Sequence, residues 1–319
     1  MDALTTSRLA GSNILSADQF DLATVELIFS YARRMPKIAH RAVRNRILEG
    51  FIGGMFFWEE STRTRLSSEM AFLRLGASVL SMIDPTFSSM KKGESFADSI
   101  RYYAMYCDVM VIRHPEEGRV AEAAALVDKP VINAGDGPGE HPTQGLLDLF
   151  TLYEACTKLQ NFRLAMAGDL LNSRTVHSLC KLLCLFDDIA VDLIAPDEFQ
   201  LPEKLASQMR QAGIDVTVTG DFAGGVSEAN ALYMVRPQLN REQSADPALL
   251  NSIRLDATFL AQHCRDDVKI LHPMPRTAEI ADDVDTHPGA LYLTSQAENG
   301  ILIRMALALL LLGKEHKLV

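Results

Sequence analysis

Met55-Phe56-Phe57-Trp58-Glu59-Glu60-Ser61-Thr62-Arg63-Thr64-Arg65 runs from apolar side chains straight into hydroxyls and guanidinium groups. Met55 to Trp58 reads as the end of a strand. Leu66, Met70 and Leu73 follow at helical spacing, so Ser61 opens a helix. A strand that enters a helix through Ser, Thr and Arg builds an anion site. The first helical turn has unpaired backbone N–H groups and the positive end of the helix dipole. Hydroxyls and guanidinium groups placed there suit a phosphate. The plainer reading is a capped helix, with Ser61 as the cap and the arginines paired to surface carboxylates. The rest of the chain decides between the two.

Outward from this segment, short β-branched runs alternate with helical patterns. Strands are expected at Gly53–Trp58, Ser78–Met82, Val109–Arg113, Pro130–Asn133, Arg163–Ala167, Ala190–Ile194, Asp215–Thr219, Ala231–Val235 and Lys269–Leu271. Helices fall between most of them, among others Thr24–Arg34, Ser95–Tyr106, Thr143–Ala155, Thr175–Phe186 and Pro202–Ala212. This alternation predicts an α/β fold with parallel sheets covered by helices on both faces. The 319 residues are long for one core and natural for two. The expectation is therefore two doubly wound parallel-sheet domains joined by bridging helices. Gln144 to Tyr153 is a natural bridge, and the C-terminal helix is expected to return to the first domain.

The chain is 48% hydrophobic and 23% charged, as soluble globular proteins are, and its net charge is -10. That charge argues against nucleic acid or an anionic membrane as the main partner. A small anion is still compatible where positive groups converge locally. The five cysteines form no CxxC pair. Cys180 and Cys184 lie one helical turn apart near His177, but they alternate with leucines and read as small core residues rather than metal ligands. The pattern fits a reducing cytoplasm. The N-terminus shows no basic region followed by an apolar core. The apolar run Ile301 to Leu312 is too short to span a bilayer and contains Arg304, so it reads as a buried helix.

In doubly wound sheets, ligands bind beyond the carboxyl ends of the strands. Here those ends lead to Ser61-Thr62-Arg63-Thr64, Arg113-His114-Pro115, Asn133 to Gly137 followed by His141-Pro142-Thr143-Gln144, Gly168-Asp169 followed by Arg174, Arg236-Pro237-Gln238, and His272 to Arg276. Four arginines, Arg63, Arg113, Arg174 and Arg236, are thus expected just past strand ends, converging on a ligand with several negative charges. The nucleotide signatures GxxxxGK[ST] and GxGxxG are missing, as are HExxH, GxSxG and an aspartate-rich calcium loop. Gly168-Asp169 opens like a dinucleotide turn but lacks the later glycines. The remaining set of positive charge, hydroxyls, one histidine and one glutamine stabilises negative charge on oxygen during acyl or phosphoryl transfer. It offers no obvious covalent nucleophile, and no metal or cofactor is expected.

These residues, taken in order, resemble the aspartate carbamoyltransferase catalytic chains over almost the full length. The resemblance rests on Phe57 to Arg65, Lys91-Lys92-Gly93-Glu94, Arg113 to Gly118, Asn133 to Gly137, His141-Pro142-Thr143-Gln144, Gly168-Asp169 through Arg174 to Ser178, Tyr233 to Gln238, and His272-Pro273-Met274-Pro275-Arg276. The related ornithine enzymes have His-Cys-Leu-Pro at the last of these and an Asp-x-Trp-x-Ser segment near Arg236. Arg236 and Gln238 instead suit a second carboxylate, which arginine holds bidentately.

The resemblance implies a carbamoyl-phosphate-binding domain over residues 1–142 with 300–319 and an aspartate-binding domain over 143–299. It implies that Ser61, Thr62, Arg63 and Thr64 hold the phosphate and that Arg113 bridges phosphate and carbonyl oxygen. His141 and Thr64 would polarise the carbonyl, and Gln144 would mark the carbamoyl amide. Arg174 would take the α-carboxylate of aspartate, Arg236 with Gln238 the side-chain carboxylate, and the carbonyls near Met274 and Pro275 the nitrogens. Ser88 and Lys92 resemble loop residues that the family donates from a neighbouring subunit, which implies a homotrimer with shared active sites. Some members also bind regulatory or dihydroorotase-like chains. The implied product is N-carbamoyl-L-aspartate, in de novo pyrimidine biosynthesis.

Plainer roles exist for several of these residues. His141 before Pro142 could cap the next helix, Lys91-Lys92 could be solvated charge, and Arg236 could pair with Glu242. Three departures stand out: Trp58 where the family usually has Phe, Met274 for the usual Leu, and a loop Phe87 to Met90 without the usual glycine. Two other functions remain open, a transcarbamoylase for another amino-acid acceptor and a catalytically silent assembly subunit.

Overall fold

A computed structural model describes residues 8–43, 45–83, 89–156, 159–238 and 246–318. It divides into two compact units, residues 1–143 with 299–319 and residues 144–298. Both are parallel α/β units.

In the first unit, α1 (Leu22–Ala32) and α2 (Pro36–Ala39) precede β1 (Ile52–Phe57), α3 (Thr62–Arg74), β2 (Ser78–Met82), α4 (Phe96–Met105), β3 (Val109–His114), α5 (Arg119–Ala125) and β4 (Val131–Asp136). The four strands pair in the order β2-β1-β3-β4, all parallel. β3 and β4 are buried nearly throughout, as strands covered on both faces must be. Edge strand β2 is half exposed. The close approach of α3 to β1 needs glycine: a Cβ on Gly53 would meet the Phe72 ring at 2.8 Å.

α6 (Pro142–Ala155) has residues in both units and leads into the second. There β5 (Phe162–Gly168), α7 (Arg174–Leu183), β6 (Ile189–Ile194), α8 (Glu203–Gln211), β7 (Asp215–Thr219), α9 (Phe222–Val226), β8 (Ala231–Val235), α10 (Ala257–His263) and β9 (Lys269–Leu271) follow. The five strands run parallel in the order β7-β6-β5-β8-β9. β5 is therefore central, flanked by β6 on one side and β8 on the other, with the crossover at its carboxyl end. α11 (Ser295–Leu311) ends in the first unit, where Leu311 O accepts from Gly11 N at 2.9 Å. Among the described residues no helix is long and apolar enough to cross a membrane.

The nine expected strands all form, with small shifts at the ends. The largest is β4, which runs on to Asp136 instead of stopping at Asn133. Its register with β3 shifts after Ile112, so that His114 faces Asp136 and pairing continues. Arg113 accordingly lies inside β3 rather than past its end. Cys180 is fully buried against Met166, with its Sγ 3.7 Å from the thioether, and behaves as a core residue.

Candidate active site

The segment from β1 into α3 has the geometry of an anion cradle. Ser61 stands at the N-cap of α3 in extended conformation (φ -162, ψ 98), and its side chain makes no capping bond. By contrast, Asp21 at the head of α1 and Ser95 at the head of α4 each accept from the helix backbone. The α3 dipole and its first N–H groups therefore lack the side-chain acceptor that usually meets them. Thr62 and Arg63 are exposed, whereas Thr64 is buried.

Thr64 meets the histidine expected beside it. Its Oγ1 lies 3.3 Å from His141 Nε2, and both side chains are buried. The other ring nitrogen, Nδ1, is 3.3 Å from Thr143 Oγ1. Arg113, near the end of β3, is held by two contacts: Nη1 donates to Ala134 O at 3.1 Å, and Nε is 3.1 Å from Glu59 Oε2. Lys92 ends a short 3₁₀ turn, Ser89–Lys92, where it is exposed and has no partner among the described residues. Trp58 closes over that turn. Its indole N–H donates to Met90 Sδ at 3.2 Å, and its ring packs on Phe96 and His114. Ser88 and Phe87 lie outside the described residues, as does Glu242.

In the second unit, Arg174 is the first residue of α7 and is buried. Arg236 and Gln238 follow β8 directly. Asp169, fully buried at the end of β5, accepts from Gln238 N at 2.9 Å and from Asn172 N at 3.0 Å. Arg236 Nη1 donates to Pro237 O at 2.8 Å, and Gln238 Nε2 to Arg236 O at 3.1 Å. Gly168 makes this turn feasible. Its φ is +123, and a Cβ there would lie 2.0 Å from Val235 O.

A buried network sets the rest. The Asp148 carboxylate accepts from Gln144 Nε2 (3.0 Å), Tyr233 OH (2.7 Å) and Gln296 Nε2 (2.6 Å). Burial, with the Asp148 charge behind it, pushes the Tyr233 hydroxyl well above its usual range. Gln296 Oε1 accepts from His272 N at 3.0 Å. His272 Nδ1 accepts from Met274 N at 2.7 Å, so its Nε2–H donates to Glu279 at 2.9 Å. The Met274-Pro275 segment is thereby pinned from both sides. Arg276 is engaged in ion pairs with Asp282 and Asp285.

Asp148, Asp169, Glu279 and Thr143 had no assigned role in the sequence reading, and Arg304 counted only against a membrane span. A detectable signal existed for two of them. Asp148 and Arg304 are charges set in otherwise apolar helical runs, and such charges are buried only when paired.

Residues 12–154 match the aspartate/ornithine carbamoyltransferase, carbamoyl-P binding domain, and residues 160–311 match the Asp/Orn binding domain of the same family. The aspartate carbamoyltransferase catalytic subunit of Dichelobacter nodosus is 41% identical over 318 residues, covering 96% of this chain and 90% of that relative. The crystal structure of aspartate transcarbamoylase from Trypanosoma cruzi with carbamoyl phosphate and aspartate superposes with a TM-score of 0.90 at 35% identity, covering 97% of this chain and 100% of that one. The same enzyme with carbamoyl aspartate and phosphate gives 0.89 at 34% identity, covering 98% and 99%. Two substrate-domain matches in the right order and identity across nearly the whole length show it: the chain belongs to the aspartate carbamoyltransferase family.

Proposed function

We propose that this protein transfers the carbamoyl group of carbamoyl phosphate to the amine of L-aspartate, giving N-carbamoyl-L-aspartate and phosphate for pyrimidine biosynthesis. One observation carries the site assignment: Ser61 occupies a helix N-cap and caps nothing, while Thr64 and His141 touch beside it. A cradle of that kind is prepared for an outside anion.

Residues 1–142 with 300–319 bind carbamoyl phosphate, and residues 143–299 bind aspartate. Ser61, Thr62, Arg63 and Thr64 hold the phosphate at the head of α3. Arg113 bridges phosphate and carbonyl oxygen, and Thr64 and His141 polarise that carbonyl. Gln144 gives its NH₂ to Asp148, which leaves its Oε1 to accept from the carbamoyl NH₂. Arg174 takes the α-carboxylate. Arg236 and Gln238, on the turn ordered by Asp169, take the side-chain carboxylate. Carbonyls at Met274 and Pro275 receive the attacking amine.

The amine nitrogen attacks the carbamoyl carbon. A C–N bond forms, a tetrahedral intermediate collapses, and the C–O bond to phosphate breaks. The amine proton leaves with the phosphate, so no side-chain base is required. The protein contributes orientation and electrostatic stabilisation of the developing oxyanion.

The working unit is a homotrimer in which Ser88 and Lys92 serve a neighbouring subunit's site. Two features support this. Lys92 is exposed with no partner among the described residues. Leu66 and Leu73 on α3, Leu80 on β2, and Tyr102 and Met105 on α4 expose large apolar surface on one unit. Purified protein given carbamoyl phosphate and a panel of amino acids tests the reaction. Ureido product from aspartate far above the others is expected. Product from another acceptor, or from none in folded protein, would overturn the assignment.

A further inference from the structure

Arg304 is a cation in the middle of an apolar helix. Its neighbours Ile303, Met305, Ala306 and Leu307 are fully buried, and Arg304 itself is only 7% exposed. A leucine would fill the place without the cost of burying a guanidinium. The guanidinium is aimed. Nη1 donates to Gly300 O one turn earlier at 2.8 Å, and Nη2 donates to Thr143 Oγ1 at 3.3 Å. Thr143 Oγ1 is in turn 3.3 Å from His141 Nδ1, and His141 Nε2 is 3.3 Å from Thr64 Oγ1.

Donor and acceptor rules give this chain a direction. Arg has no acceptor, so Thr143 Oγ1 must accept from it. With Arg304 donating to the oxygen, the single hydroxyl proton of Thr143 is available to its neighbour His141 Nδ1. When Nδ1 accepts that proton it carries none of its own, and the proton of the neutral ring sits on Nε2. Nε2–H faces Thr64 and the head of α3.

We infer that Arg304 is a positioning residue that acts through Thr143 to fix His141 as the Nε2–H tautomer, the form able to donate to the carbamoyl oxygen. The catalytic meaning rests on the assignment of His141 above; the tautomer does not. Arg304 touches neither substrate. It keeps a donor aimed where negative charge develops, which is the placement that accelerates acyl transfer. With Nδ1 protonated instead, Nε2 would present a lone pair to that oxygen and repel it.

The test is ¹⁵N-histidine NMR on the full-length protein, with the His141 ring assigned by loss of its signals in His141→Asn. The wild type should show protonated Nε2 and bare Nδ1. Arg304→Met should relax the ring to a mixture of tautomers and lower kcat by roughly 10- to 100-fold with a much smaller change in the KM for aspartate. Arg304→Lys, which restores a donor, should recover part of both. Thr143→Val breaks the same relay without touching the buried charge, and it decides the matter if Arg304→Met fails to fold. A wild-type ring protonated on Nδ1 would overturn the inference. So would an unchanged tautomer in Thr143→Val. An Nε2–H ring in a protein that makes no ureido product would support Arg304's role and overturn the proposed reaction instead.

Discussion

The Ser61 hydroxyl makes no bond to the backbone of the helix it heads. An ordinary N-cap serine costs roughly 0.5–2 kcal/mol when replaced by alanine. Ser61→Ala is therefore expected to leave thermal stability within about 0.5 kcal/mol while weakening carbamoyl phosphate binding. A clear fall in melting temperature with unchanged binding would return Ser61 to the role of cap. Arg236→Ala isolates the other substrate. Loss of a charge-assisted hydrogen bond costs roughly 1.5–3 kcal/mol, at least about tenfold in aspartate affinity or turnover. Titration with carbamoyl phosphate should be unaffected, and equal loss of both would refute the division of roles. The residues legible in the sequence are those with a motif around them, such as Thr64 and His141. Asp169 and Asp148 were not legible, because each acts through bonds to residues far along the chain: Gln238 for the first, Tyr233 and Gln296 for the second.

Among the elements, the loop after β9 is organised around a single buried carboxylate, Glu279. Burial alone would raise the carboxyl of Glu279. Hydrogen bonds from His272, from the Thr277 hydroxyl and from backbone N–H groups outweigh burial and hold its pKa at about 2, against 4.5 for a free glutamate. A carboxylate with a depressed folded-state pKa stabilises the fold fully above its unfolded value. That stability disappears as pH falls from about 4.5 through about 2. At ~1.4 kcal/mol per pH unit between about 4.5 and about 2, the ceiling is about 3.5 kcal/mol, which solvent screening lowers to on the order of 2–3 kcal/mol. Denaturant midpoints of wild type and Glu279→Gln should differ at pH 7 and converge near pH 2; parallel curves would contradict this. Strands and long helices were legible because β-branched runs and apolar spacing are local signals. The continuation of β4 to Asp136 was not, since Asn133, Gly135 and Asp136 are turn formers held extended by pairing across a register shift.

At the scale of the whole molecule, a shared site has a distinctive signature. Lys92→Ala and Arg63→Ala proteins should each be nearly inactive alone. Mixed under conditions of subunit exchange, they should regain activity, because some hybrid sites take both native residues from different chains. No recovery with exchange confirmed by native mass spectrometry would exclude sharing, and the same measurement gives the number of chains. The two-unit α/β plan was legible from the alternation of strand and helix patterns. A trimer was implied only by the family resemblance and not by the pattern, since exposed apolar side chains such as Leu66, Leu73 and Leu80 follow the same periodicity as buried ones.

The bond from the Trp58 indole to Met90 also gives the protein an optical reporter. Trp58 is the only tryptophan in the chain, and it sits between the end of β1 and the turn that carries Lys92. Its emission maximum and its quenching by iodide or acrylamide therefore read that turn together with the Phe96 and His114 rings it packs on. Substrate-driven rearrangement of the Lys92 turn would register as a spectral change without any added label, and stopped-flow fluorescence would time it against turnover.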